Sequence, residues 1–184
     1  MPRLPILAAA FSLVAGTAQA HAPGAFGLTA GLSHPFLGAD HLMAMVAVGL
    51  LAVQQGGKPW LLPAVFVAAM AAGLGLGALG LGGAVEAGIV GSVIVLGALV
   101  AWGRALSAGV LAAVVALSAA LHGHAHGLEM PAESAALAYA LGALAGTAVL
   151  HGLGVGAARM LRGTAVRACG AAFAAGAVAL LVLA

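Results

Sequence analysis

Long apolar runs dominate this chain, and they restrict its fold more than any other feature. The 184 residues include only six Lys/Arg and four Asp/Glu, and 64% of them are hydrophobic. A water-soluble domain of this length cannot cover its surface with so few charges, so the sequence predicts an integral membrane protein. Uncharged runs that cross a bilayer must be helical, because lipid offers no partner to an unpaired backbone group. The predicted fold class is an all-α transmembrane bundle.

Six segments are long and apolar enough to cross a hydrocarbon core of about 30 Å. They are residues 35–53, 60–81, 85–102, 105–128, 134–157 and 166–183. Short breaks rich in glycine or charge separate them, as expected for a compact six-helix bundle. Three helices followed by three, with histidines in the first and fourth, also suggest an inverted repeat.

Residues 1–20 have the pattern of a cleavable signal peptide, with a positive start, a short apolar stretch and the small-residue sequence AQA at its end. An uncleaved membrane helix is the alternative, and Pro5 disfavours it. The predicted domains are therefore a signal peptide, 1–20, and a six-span membrane domain, 21–184, whose first residue is His21.

Charge predicts how the bundle lies in the membrane. If the mature N-terminus is outside, the inner loops carry five cations, Lys58, Arg104, Arg159, Arg162 and Arg167. The outer loops then carry none, which agrees with the positive-inside rule and places both mature ends outside. The cations form no clustered stripe, so we expect no nucleic-acid partner. The single cysteine excludes an intramolecular disulfide and a cysteine-based zinc site.

The stretch SHPFLGADHLMAM places two histidines and an aspartate where the apolar sequence begins. Pro35 suits a first helical turn, which predicts one helix with His34 at its cap. On that helix His34 and His41 share a face two turns apart, with Gly38 leaving room between them. Asp40 is offset by about 100° from His41, so it either binds at the edge of that face or orients a ligand. Ionisable groups inside a membrane indicate function, and polar anchors at the headgroups are the alternative.

A second polar group lies in LHGHAHGLEMPAE. His122, His126 and Glu129 follow the spacing of one helical face, whereas His124 points about 200° away from His122. Imidazole nitrogen and carboxylate oxygen without thiolate suit nickel, cobalt or zinc better than copper(I). A pH-sensing or merely polar loop is the alternative. The predicted metal ligands are His34, Asp40, His41, His122, His126 and Glu129, with His21, His124, His151 and Glu133 as accessory candidates.

His151 stands alone in the fifth predicted span, past the midplane when counted from the outer end of that span. It is either one half of an interhelical hydrogen bond or an inner station on a path that begins at the outer histidines. The sequence leaves both readings open.

Together the two histidine motifs resemble those of the HupE/UreJ family of nickel permeases. HPFLGADH fits the family's His-x5-Asp-His pattern, and HGHAHGLE fits its His-Gly-x-Ala-x-Gly-x-Glu pattern. The resemblance covers essentially the whole chain, although Leu121 stands where the family pattern has an aromatic residue. It implies secondary transport of Ni²⁺, or of Co²⁺, across the bacterial inner membrane to supply hydrogenase or urease maturation. By motif position it assigns functional roles to His34, Asp40, His41, His122 and Glu129, with His126 at a position that is commonly histidine.

We therefore expect a permease that captures a hydrated divalent ion at its outer end and exchanges the waters for side chains. Release past His151 follows the inside-negative potential, worth ~4.6 kcal/mol for a divalent ion per 100 mV. Proton coupling stays open. The expected partners are the lipid bilayer and the transported Ni²⁺, with Co²⁺ or Zn²⁺ as alternatives; a homo-oligomer is left open, and no organic cofactor is expected.

The principal alternative is a membrane-embedded zinc hydrolase. In that reading Ser118 would support a zinc-bound water, and the zinc ligands would be His41, His122, His126 and Asp40. Six mature spans and the absence of a recognisable lipid-head recognition group in the sequence disfavour it. A third reading is a metal-sensing or assembly subunit that does not transport.

Overall fold

The computed structural model describes residues 27–83, 85–132 and 134–183. Those residues form seven helices and no strand. In chain order the helices are α1 (Leu28–Leu37), α2 (Ala39–Gln54), α3 (Leu61–Ala78), α4 (Glu86–Trp102), α5 (Ala108–Leu128), α6 (Ala136–Met160) and α7 (Gly163–Leu183). The predicted all-α class is confirmed, whereas the predicted signal peptide lies outside the described residues.

Helices α3 to α7 correspond to the last five predicted spans, with ends within three residues of the predicted bounds. Four of them, α3, α5, α6 and α7, are each long and apolar enough to cross a bilayer, and α1 with α2 qualifies as one bent span. Large apolar side chains on these helices point outward, as lipid-facing residues do: Leu117 is 67% exposed and Leu137 is 73% exposed. This is a multi-pass membrane protein. The count of six spans stays a prediction, because α4 has only 17 residues.

The first predicted span is wrong, because the chain there forms two helices joined by a sharp bend and not one continuous helix. Gly38 has an extended backbone that ends α1, and α2 leaves at 83° to it. Pro35 therefore lies in the last part of α1 instead of opening a helix, and His34 lies within α1 instead of at a cap. His34 and His41 belong to two helices and do not share one helical face. Glycine fits the break because a Cβ at Gly38 would come within 2.9 Å of the Asp40 Oδ1.

Glycine contacts hold the helices in close pairs. Gly73 and Gly77 of α3 face α5 so closely that a Cβ on either would collide with an α5 backbone oxygen, and Gly123 and Gly127 of α5 face α3 in the same way. The bent pair packs similarly on α6: the contacts between α1 and α6 and between α2 and α6 are both extensive. Small residues at four-residue spacing allow such backbone approach in membranes. The segment containing the second histidine motif is thereby fixed against α3.

Among the described residues, the positively charged and the negatively charged side chains belong to opposite ends of the bundle. At one end Gln55 bonds the backbone oxygen of Arg104, and the Arg167 Nε donates to the oxygen of Ala101. We call this the basic end, because the topology gathers five cations there, Lys58, Arg104, Arg159, Arg162 and Arg167. At the other end the backbone N–H of Gly27 donates to the Ser134 Oγ. The carboxylates of Asp40, Glu86 and Glu129 belong to helix ends on that side.

The close packing of α3 against α5 can be tested by two substitutions in α3. Gly73→Leu should lower the aggregation temperature of the detergent-solubilised protein by about 5 °C or more, because the side chain must push two backbones apart. Gly75→Leu should leave it nearly unchanged, because nothing lies within 4 Å of a Cβ at Gly75. Size-exclusion chromatography after heating measures both. Equal effects at the two positions would contradict the described packing.

Candidate metal centre

Four buried imidazole rings from three helices converge at the end of the bundle opposite the basic end. His34 comes from α1, His41 from α2, and His122 and His126 from α5; none is more than 4% exposed. The ring centroids of His34 and His126 are 4.5 Å apart, those of His41 and His126 are 4.6 Å apart, and those of His41 and His122 are 4.7 Å apart. We call His34, His41, His122 and His126 the histidine cluster. Its members come from both sequence motifs.

Asp40 orients His41. The Asp40 Oδ1 lies 2.8 Å from the His41 Nδ1 and also accepts the His41 backbone N–H at 2.7 Å. Because a carboxylate only accepts, the His41 proton resides on Nδ1 and Nε2 carries a lone pair. The His41 Nε2 is buried and has no hydrogen-bond partner among the described residues. A carboxylate behind a histidine is the usual arrangement of a metal-ligating imidazole.

Ser92 of α4 fixes the tautomer of His122 in a similar way. The Ser92 hydroxyl donates to the backbone oxygen of Ile89 at 2.7 Å, and its Oγ lies 3.0 Å from the His122 Nε2. With its proton already engaged, the hydroxyl accepts from the His122 Nε2–H. The His122 Nδ1 therefore carries the lone pair, and it is buried without a partner in the described part of the chain.

His126 lies between the other rings of the cluster. Neither of its ring nitrogens has a hydrogen-bond partner within the described residues. Ligand atoms of His34, His41 and His126 all lie within 4.8 Å of one another. Two nitrogens bound to one ion at 2.0–2.1 Å are about 3 Å apart, so a shift of about 1–2 Å would close the three around a cation. The arrangement can exchange the waters of a divalent ion for imidazoles.

Two carboxylates mark the mouth of the site. The Glu129 Oε2 lies 2.9 Å from the His34 Nε2, and the Glu129 side chain is 45% exposed. The hydrogen bond with His34 lowers the pKa of the Glu129 carboxyl from its ordinary value, while partial burial acts in the opposite direction. Asp40 is 28% exposed. Negative charge at the entrance and neutral imidazoles behind it suit the capture of a cation.

The structure brings together all six predicted metal ligands: four form the histidine cluster, and the two carboxylates lie beside it. Glu129 and Asp40 hydrogen-bond members of the histidine cluster, and the contact of Asp40 with His41 favours the orienting role over direct binding. His124 points away from the cluster, as predicted, and its Nε2 donates to the backbone oxygen of Leu81 at 2.6 Å. His151 lies apart, next to Phe66. His21 and Glu133 lie outside the described residues.

Sequence reasoning missed three buried neighbours of these histidines. Ser92 bonds His122, Phe66 lies beside His122 and His151, and Tyr139 packs against His34 with ring centroids 6.1 Å apart. The signal for Ser92 is weak but present, since it is a lone hydroxyl in an otherwise apolar span. Phe66 and Tyr139 carry no such signal, because aromatic residues are ordinary in apolar helices.

An all-helical, multi-pass membrane protein with buried imidazoles facing one another is the class that these observations define. The family model described as HupE / UreJ protein matches residues 9–180, and the chain belongs to that family. Protein HupE of Rhizobium leguminosarum bv. viciae is 46% identical over 165 residues, which cover 85% of each chain. No solved structure matches. The resemblance carried by the two histidine motifs is therefore confirmed.

The contact between Asp40 and His41 can be tested by two substitutions at one position. Asp40→Ala should weaken Ni²⁺ binding by about 10–100-fold, because His41 loses the acceptor that orients it. Asp40→Asn should retain most of the affinity, since the amide oxygen still accepts the Nδ1–H. Titration of the purified protein with Ni²⁺ measures both. Equal loss in the two variants would mean that the carboxylate binds the ion directly.

Proposed function

We propose that this protein is a permease for divalent metal ions and that Ni²⁺ is its main substrate, with Co²⁺ and Zn²⁺ as alternatives. The observation that carries the proposal is the set of buried imidazole nitrogens on His41, His122 and His126 that have no hydrogen-bond partner among the described residues, on rings that pack against one another within the bundle. Leaving such groups unpaired in a membrane costs free energy. A cation that binds there repays this cost.

The donor set supports the choice of metal. The cluster offers imidazole nitrogens with carboxylate oxygens beside them and no thiolate, which favours borderline divalent ions over copper(I). Membership in the HupE/UreJ family supports the same class of substrate. The ion is the transported substrate and not a resident cofactor, so the site must bind it firmly enough for capture and weakly enough for release.

The charge distribution supports uptake as the direction of transport. The five described cations lie at the end opposite the histidine cluster, and from the positive-inside rule we infer that this basic end faces the cytoplasm. The cluster then opens to the outside of the inner membrane, and both ends of the mature chain are periplasmic. Uptake follows the inside-negative potential. The imported ion would supply the maturation of a nickel enzyme such as hydrogenase or urease.

The hydrolase alternative loses its supporting residue. The Ser118 Oγ donates to the backbone oxygen of Val114 in its own helix, at 2.9 Å, and no hydrogen bond joins it to a histidine among the described residues. It is thus a back-bonded helix serine, as is common in membrane helices. Family membership also supports a transporter over an enzyme.

Uptake of radioactive Ni²⁺ into proteoliposomes tests the function with a matched pair of α5 variants. His126→Ala should lower uptake by at least about tenfold. Removing a metal ligand should reduce activity at least as much as removing a residue that only orients a ligand. Ser118→Ala, two turns away on the same helix, should leave uptake unchanged. It also serves as the test of the hydrolase reading, which requires this serine.

Two results would overturn the proposal. One is absence of Ni²⁺ uptake by the wild-type protein under an imposed inside-negative potential. The other is unchanged uptake by a folded His126→Ala variant, because the cluster would then take no part in transport.

A further inference from the structure

His151 of α6 is a buried imidazole outside the histidine cluster. It is 1% exposed, and neither of its ring nitrogens has a hydrogen-bond partner among the described residues. The predicted alternative of an interhelical hydrogen bond is therefore not observed. An unpaired imidazole at this depth in a membrane span is costly unless it binds something part of the time.

His151 is one of the residues that line an open cavity of about 440 Å³ between α3 and α6. The cavity begins just before α3, where Pro59 and Trp60 follow Lys58 at the basic end. Its other walls are apolar, and of its lining residues only His151 carries a metal-ligating side chain. Water takes about 30 Å³ per molecule in the liquid, so the cavity has room for an ion that retains several waters.

Phe66 lies beside both His151 and the histidine cluster. Its ring centroid lies 6.1 Å from that of His122 and 4.9 Å from that of His151. Phe66 is fully buried. The next turn of α3 is held by a contact with α6, since the Thr147 hydroxyl donates to the Met70 Sδ at 3.3 Å. An ion cannot pass through a phenyl ring, so a ring that lies beside both imidazoles is suited to be a barrier between them.

We propose that His151 is a second, inward station for the transported divalent ion, and that Phe66 is the barrier between this station and the histidine cluster. The inference rests on the proposed function. A single imidazole in an otherwise apolar cavity binds a partly hydrated ion weakly, which suits release. Several imidazoles beside two carboxylates bind it more firmly, which suits capture. Rotation of the Phe66 ring joins the two sites.

Cysteine accessibility tests the barrier independently of transport. In a Cys169→Ser background, His151→Cys carries the single thiol, and Lys58→Cys serves as the reference for the basic end. A charged, membrane-impermeant thiol reagent is added to either face of oriented vesicles. We expect His151→Cys to react from the same face as Lys58→Cys and not from the opposite face. Adding Phe66→Ala should open reaction from the opposite face.

If His151→Cys reacted from the face of the histidine cluster while Phe66 is intact, Phe66 would not be a barrier. If it reacted from neither face, the cavity would not connect His151 to the basic end. An unchanged pattern after Phe66→Ala would overturn the role of that ring. Phe66→Leu, a smaller change, replaces the alanine variant if that variant does not fold.

Uptake and binding, measured together, test the station. His151→Ala should lower the Ni²⁺ uptake rate by about tenfold, equal to about 1.4 kcal/mol in the barrier, while equilibrium binding at the histidine cluster is retained. Val155→Ala changes the same cavity wall without removing a ligand and should retain the wild-type rate. His151→Gln should show the same loss as His151→Ala, and it replaces that variant if alanine prevents folding.

The outcomes separate this inference from the proposed function. If the wild-type protein transports Ni²⁺ and His151→Ala matches it, only the inward station is wrong. If Val155→Ala lost uptake equally, His151 would not be an ion-binding station, because the shape of the cavity and not the imidazole would determine the uptake rate. If the wild-type protein neither binds nor transports Ni²⁺, both proposals fail.

Discussion

The burial of imidazole nitrogens without protein partners is the constraint on which the rest of this structure depends. His126 has no hydrogen-bond partner in the described part of the chain, and His41 and His122 each keep one nitrogen unpaired. Asp40 and Ser92 satisfy the other nitrogens of these two rings and thereby leave their lone pairs accessible. We propose that a bound cation offsets both the cost of burying these nitrogens and the cost of its own dehydration.

Helix packing brings the rings of the histidine cluster together. The glycines that join α3 and α5 bring His122 and His126 to a fixed depth, and the break at Gly38 turns α2 by 83° so that His41 meets them. In the proposed permease, Glu129 lies at the mouth, the histidine cluster binds the ion behind it, Phe66 is the barrier, and His151 lines a cavity that begins near the basic end. This order would allow capture at one end of the bundle and release at the other.

Composition and motif spacing predicted the helical class and the ends of five helices. They also pointed to the four histidines that converge and the two carboxylates that hydrogen-bond them, whose role as metal ligands stays a prediction. They did so because lipid imposes a length on each span and because ionisable groups are rare within it. The bend at Gly38 was missed, since Pro35 is compatible with both the start of a helix and its last turn. Ser92 and Phe66 could not be predicted, because their roles arise from contacts between helices remote in sequence.

An anomalous-difference map from crystals soaked in Ni²⁺, collected at the nickel absorption edge, would show whether the histidine cluster holds the ion. We expect one dominant peak within the histidine cluster, with imidazole nitrogens at about 2.0–2.1 Å. This expectation would be contradicted by a dominant peak remote from the cluster, or by none at an ion concentration that saturates uptake.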